Sequence, residues 1–372
     1  MRSDSASAVL AMVCASLVAE GCAYFGTSPN RTRLTTPERE AAIARAQLWT
    51  KTDVAAMDLR AGPQGPGAFA PGQTVVCDYV DETAGGHSPK FTCAIGGHDK
   101  VKVKFGRDNG EPFAEVAASR LLWALGFGAD HEYPVRVVCR GCPGQLLGFA
   151  NDPAEMLFEF AAIERKQTGH EIEGPEGRGW AWFELDWVDP SAGGATRAER
   201  DALKLLAVVL QHTDNKRDQQ RIVCLDRAAR RESRETCRHT FMLINDLGET
   251  FGHAGTLNLN ATASVNLAAW EQTPVWAKSE GCVGNLPQSW SGTLNNPRIT
   301  EEGRTFLASL LTQLTDRQLL DLFEVARFSS RTHDGKAPDY DASPAAWVRA
   351  FKSKVDQITG RSCAPAKADD ER

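Results

Sequence analysis

The chain has 372 residues, with 42 Lys and Arg against 48 Asp and Glu, a formal net charge of −6 and a pI near 5.8. There is no basic excess to neutralise a phosphate backbone, which excludes a general nucleic-acid binder and a protein held on anionic membranes by charge. Small anionic ligands stay open, because a local Lys/Arg cluster is enough for them.

The N-terminus, "MRSDSASAVLAMVCASLVAEGCAYFG", carries Arg2 and then an apolar run from Ala6 to Ala19, short for a membrane span and suited to a secretory signal. Ala19 and Gly21 before Cys22 look like a bacterial lipoprotein cleavage site, with Glu20 unusual there and the customary Leu absent at 19. Plain secretion and an ordinary N-terminal helix are the alternatives. Residues 1–22 are read as signal, and the expectation is export to the periplasm or outer membrane, with membrane attachment only through a lipid on Cys22.

Eight cysteines remain after Cys14 and Cys22, an even number in an exported chain. Economy pairs Cys77 with Cys93, Cys139 with Cys142 and Cys224 with Cys237, leaving Cys282 and Cys363 to tie the C-terminal region together. Cys139-Arg-Gly-Cys142 also fits a redox or zinc motif, but no second close Cys pair accompanies it.

After a polar linker, Thr36 caps a helix expected over 37–49 with Pro37 at its first position, and the Gly/Pro-rich stretch 61–72 reads as loop or linker. Residues 23–72 form this linker-and-helix segment. "TVVCDYV", "KFTCAI" and "KVKVKFG" then read as strands, the last setting Lys100, Lys102 and Lys104 on one face. "EPFAEVAASRLLWALGF" repeats apolar residues at helical spacing, with Pro112 in its first turn and Gly126 at its close. Strands are expected at "YPVRVVC", "MLFEFAAIE" and "WAWFELDWV". A helix follows through "RDALKLLAVVLQH", opened by Thr196 and Glu199 at capping-box spacing. The strands "RIVCL" and "FMLIND" flank a charged insert, and three helices close the chain, the last capped by Ser343 before Pro344. The fold class is α+β.

Phosphoryl transfer asks a protein for a cation on the phosphates, oxygen ligands for a divalent metal and a carboxylate near the attacking hydroxyl. Lys104 followed by Glu115 supplies a strand lysine and a helix glutamate. In "HTDNKRDQ", His212, Asp214, Lys216 and Gln219 reproduce the spacing His-Arg-Asp-x-Lys-x-x-Asn, with Thr for Arg and Gln for Asn. "NDLG" places Asp246 at the end of an apolar strand with Gly248 after it, as in Asp-Phe-Gly.

On these residues the chain resembles the protein-kinase-like superfamily over about 73–255, and within it the secretory-pathway, spore-coat, HipA-type and phosphoinositide-type branches. The resemblance implies a bilobal kinase-like fold, with a β-rich N-lobe holding one helix over 73–190 and a mainly helical C-lobe over 191–372. It implies that Lys104 holds nucleotide phosphates and Glu115 orients Lys104. Asp214 is then the catalytic base, Lys216 a charge near the transferred phosphate, and Gln219 with Asp246 the ligands of Mg²⁺ or Mn²⁺. The loop at Gly85 and Gly86 covers the phosphates of ATP with backbone N–H groups. The 32 positions from Asp214 to Asp246 exceed the ordinary kinase spacing, and there is no Gly-x-Gly-x-x-Gly or Ala-Pro-Glu.

Two functions follow: an exported kinase acting on a protein, sugar or lipid hydroxyl, or a pseudokinase-like envelope protein that binds a partner or ligand. A hydrolase lacks Gly-x-Ser-x-Gly and His-Glu-x-x-His. The tryptophans at 180, 182 and 187 suit packing, or a sugar site.

Overall fold

The computed structural model describes residues 31–82, 85–226, 237–252, 264–278 and 281–363. The segment read as an export signal, with Cys22, and the body of the charged insert at 227–236 lie outside them. In chain order the elements are β1 (Arg31–Arg33), α1 (Thr36–Ala44), β2 (Thr74–Val80), β3 (Lys90–Ile95), β4 (Asp99–Phe105), α2 (Glu111–Leu125), β5 (His131–Arg140), β6 (Glu155–Arg165) and β7 (His170–Glu173). They continue with α3 (Arg197–Leu210), β8 (Gln220–Cys224), β9 (Thr240–Ile244), α4 (Leu267–Gln272), α5 (Glu301–Leu311), α6 (Asp316–Val325) and α7 (Pro344–Thr359). The chain is mixed α+β.

Strands β2, β3, β4, β6 and β5, in that order, close into a barrel. Neighbours are antiparallel except at the closure, where β2 runs parallel to β5 with Val75 opposite Val137. Alternation fills the interior: Val75, Phe91, Val101, Val103, Phe105, Val135, Val137 and Phe158 belong to one buried cluster, because successive strand residues face opposite sides. Lys100, Lys102 and Lys104 therefore stand outside the barrel, but not on an open face. Lys100 is exposed and paired with Glu82, Lys102 pairs with Glu164, and Lys104 is buried beneath α2.

The second sheet, ordered β1-β7-β8-β9, packs with the helices around a larger core. Helix α2 lies in that core and is buried on nearly every side, Glu115 and Arg120 included. Its C-cap is Gly126 at φ +87°, as a left-handed C-terminus requires. The preceding segment is integral to this packing: Trp49 Nε1 donates to Leu125 O (2.7 Å) and Thr52 Oγ1 to Ala124 O (2.6 Å), satisfying carbonyls that the helix end leaves open.

Two local expectations are corrected. Helix α1 is capped by Thr35 and ends at Ala44 rather than at 49. The chain leaves the helix because Gln47 N donates to Thr240 O and accepts Met242 N at its carbonyl, each 2.9 Å, bridging onto β9. "WAWFELDWV" is not a strand but a 3₁₀ turn over Trp182–Trp187. Glu184 tightens it: its buried carboxylate accepts Ala181 N (2.6 Å) and ion-pairs with Arg39 (2.5 Å) and Arg217 (3.2 Å).

The disulfides are Cys77–Cys93, Cys139–Cys142, Cys224–Cys237 and Cys282–Cys363. Cys139 and Cys142 are both buried in the barrel core. Four bridges are compatible with an oxidising compartment. Among the described residues no helix is long and apolar enough to cross a membrane.

Candidate functional site

A cavity of about 740 Å³ opens between the outside of the barrel and the loop that follows α3. Its barrel wall is the β2–β3 loop with Gly85, Gly86 and Ser88, the β4–α2 turn and the 146–147 stretch between β5 and β6; its far wall carries Asp214, Lys216, Asp218, Gln219, Asp246 and Glu249. The local folding explains this. Asp214 follows α3 directly, after Gln211 turns the chain at φ +55°, and Asp246 lies just past the end of β9. Residues far apart in sequence thus meet at two element ends, where side chains are free of the ladders.

On the barrel side, Lys104 Nζ lies 2.5 Å from Glu115 Oε1, 2.8 Å from Glu111 Oε2 and 3.5 Å from Asp246 Oδ1. Burial opposes charge on Lys104, but Asp246, Glu111 and Glu115 overcome it and hold the ammonium protonated. Burial works against charge on Asp246 too, yet Lys104 and Lys102 keep its carboxyl well below the usual carboxylate range, and Gly248 N donates to its Oδ1 (3.1 Å). Burial pushes the Glu115 carboxyl up, against the pull of Lys104.

On the far wall, Asp214 Oδ2 accepts from Lys216 Nζ (2.9 Å) and Gln219 Nε2 (2.6 Å). Asp214 Oδ1 is buried with no hydrogen-bond partner among the described residues. The neighbouring Asn215 is structural: its Oδ1 accepts Thr293 N and Leu294 N (2.8 and 2.9 Å) while its amide donates to His212 O (2.8 Å), bracing the loop from behind. His212 lies beneath the loop, its ring edge-on to Trp182, and burial pushes it down to about 4, so it is neutral.

The structure therefore brings Lys104, Glu115 and Asp246 together, and Asp214, Lys216 and Gln219 together; Asp246, Asp214, Lys216 and Gln219 line one cavity with Gly85 and Gly86, while Lys104 and Glu115 are buried behind its wall. Sequence reasoning missed three participants. Glu111 bridges Lys104 to the overhanging loop, since its Oε2 also accepts Ser88 Oγ (2.7 Å). Glu249 lines the far wall, and burial followed by Asp214, Glu111 and Asp246 pushes its carboxyl up to about 8. Lys90, on the barrel wall, is the third. Their one signal was position, three after Asp246 for Glu249 and just past the glycine loop for Lys90.

Six carboxyl groups line the cavity against three Lys or Arg side chains, an acidic surplus that remains with Glu249 protonated, and Asp214 Oδ1 is a buried acceptor lacking a donor among the described residues. An oxygen-rich wall with that negative surplus fits a hard divalent cation. The group Cys224, Asp226 and Cys237, though close enough to share an ion, does not fit one, because both sulfurs are in a disulfide.

No protein-family model matches the chain, and no curated protein matches it. Among solved structures it is similar to that of a Helicobacter pylori proinflammatory kinase, CtkA, at 11% identity and a TM-score of 0.38, over 78% of this chain and 95% of that one. So distant a likeness leaves the chemistry to the side chains.

Proposed function

We propose that the protein is an exported, kinase-like phosphotransferase of bilobal build, the barrel and α2 forming one lobe and the helical body from α3 onward the other, that transfers phosphate from ATP to a hydroxyl of a protein, sugar or lipid. The observation that carries this is that Lys104, buried with Glu115 behind the cavity wall, reaches Asp246, and that Asp246 shares the far wall of the cavity with Asp214, Lys216 and Gln219.

Asp214 is the proton acceptor. Lys216 and Gln219 occupy its Oδ2 and hold the carboxylate in place, leaving Oδ1 for the acceptor hydroxyl. The hydroxyl proton passes to Asp214 as the acceptor oxygen bonds to phosphorus and the bond to the ADP oxygen breaks. Lys216, beside that carboxylate, is placed to neutralise charge on the moving phosphoryl group. Asp246 and Gln219 would hold Mg²⁺ or Mn²⁺, with Glu249 as a further oxygen donor once deprotonated; the ion supplies charge neutralisation at the phosphates. Lys104 and Glu115 fix Asp246 as an anion at the cavity wall.

A second reading has its own observation. Lys104 is saturated by carboxylates and Gln219 spends its amide on Asp214, which suits a pseudokinase-like scaffold that binds a ligand or partner without turnover.

Thermal denaturation of the oxidised protein with ATP and Mg²⁺ or Mn²⁺ tests both. At a hundredfold the dissociation constant the expected stabilisation is about 2.7 kcal/mol. Asp246→Ala is expected to remove its metal-dependent part, and Asp214→Asn to keep binding while lowering transfer by roughly 10²–10⁴-fold. Binding without hydrolysis or transfer in the unmodified protein favours the scaffold; no shift in folded protein overturns the ATP-dependent reading.

A further inference from the structure

Lys104 is poorly placed to receive an anion. Its side chain is 1% exposed, it lies behind the cavity wall, and three carboxylates stand within 3.5 Å of its ammonium. A phosphate approaching it would meet Glu111 and Asp246 first.

Lys90 differs on every count. It opens β3, directly opposite Lys104 in the β3–β4 register, so both lysines project from the same outer side of the barrel. It lines the cavity, partly exposed, while Lys104 sits beneath α2. Its ammonium makes no hydrogen bond or ion pair among the described residues. The other two cavity cations are committed: Lys216 to Asp214 at 2.9 Å, and Arg107 to Ser330 O at 3.0 Å with its guanidinium over the Phe160 ring.

The glycine loop makes room for Lys90. Gly86 has φ +89°, and a Cβ there would fall 2.6 Å from Lys90 Nζ, so the ammonium rests against bare backbone of the loop that overhangs the cavity. Ser88, buried in the same loop, is tied to Glu111, which fixes the loop beside it. Burial, then the nearby Lys104, pulls the Lys90 ammonium down from its ordinary value against the weaker pull of Glu111 and Asp246.

We propose that Lys90, and not Lys104, is the residue that binds the phosphates of the nucleotide, with Lys104 acting as a positioning residue for Asp246. This rests on the nucleotide-binding reading above. It assigns the phosphate end of the ligand to the β2–β3 loop and the start of β3, where Gly86 and Lys90 meet.

Isothermal titration of the oxidised protein with Mg-ATP, Mg-ADP and adenosine tests it, beside Lys90→Met, Lys90→Arg and the surface control Lys100→Met. A charge-assisted contact to phosphate predicts that Lys90→Met weakens ATP and ADP by about 10- to 100-fold. Adenosine should change by less than about twofold, because it offers no charge to Lys90. Lys90→Arg should recover most of the loss and Lys100→Met should match the unmodified protein. ATP affinity unchanged in Lys90→Met overturns the assignment while leaving nucleotide binding intact. Equal loss for adenosine and ATP also overturns it, since the change would then act on the shape of the site. An unmodified protein that binds none of the three overturns both readings.

Discussion

Glu249 is a carboxyl that its surroundings keep protonated near neutrality: burial first, then Asp214, Glu111 and Asp246, push it up to about 8. A raised carboxyl pKa means that the folded chain holds a proton the unfolded chain has released. Its stabilising contribution is complete below the unfolded value of about 4.5 and is lost as pH rises through about 8. Denaturant melts should therefore lose on the order of a few kcal/mol across that window, and Glu249→Gln should flatten that part of the profile. His212 has the opposite slope: it is pushed down to about 4, so its contribution fades as pH falls below about 6.5, and comparing variant with parent isolates Glu249. At this scale the motif residues Lys104, Glu115, Asp214, Lys216, Gln219 and Asp246 were legible because their order and spacing are carried along the chain. Glu249, Glu111 and Lys90 were not, because what makes each of them unusual is the company of charges from other elements.

Helix α2 shows what an element's own residues announce and what they omit. Apolar spacing, Pro112 and Gly126 mark its span, whereas its burial on nearly all sides depends on the barrel beneath and the 49–52 segment at its end. Gly126 carries both constraints: φ is +87°, and a Cβ would lie 2.1 Å from Thr50 O. Gly193 has a similar φ of +89° with nothing near its Cβ position. Gly193→Ala is thus expected to cost about 1 kcal/mol of backbone strain, and Gly126→Ala clearly more, of order 3 kcal/mol or above, both read from urea melts. The 180–188 stretch was misread for a related reason. Its aromatic residues favour strand by composition, but the buried hub of Glu184 with Arg39 and Arg217 draws the backbone into a turn. Strand β1, strand β7 and helix α4, at three, four and six residues, are too short for any periodicity to reveal.

Across the whole molecule, the bridge Cys282–Cys363 spans a sequence separation of 81 and fastens the end of α7 to the segment before α5. Loop-closure entropy gives it about 4.5 kcal/mol, against roughly 2 kcal/mol for Cys139–Cys142 at a separation of 3. Replacing both cysteines of the longer bridge by serine should lower the urea midpoint more than the same change in the shorter one, and equal shifts would show that strain or residual structure in the unfolded chain dominates. The disulfide pairing followed from sequence economy, and the strand alternation, the starts of α2, α3, α5, α6 and α7 and the chain order of the site residues were equally legible, because each is a local property of spacing or side-chain type. Closure of the barrel by β2 on β5, the seating of residues 31–60 in the core and the burial of Lys104 while Lys90 faces the cavity were decided only by tertiary structure. Contacts between distant segments are selected by the summed packing and charge of the whole fold, and neither partner carries that choice in its own neighbourhood.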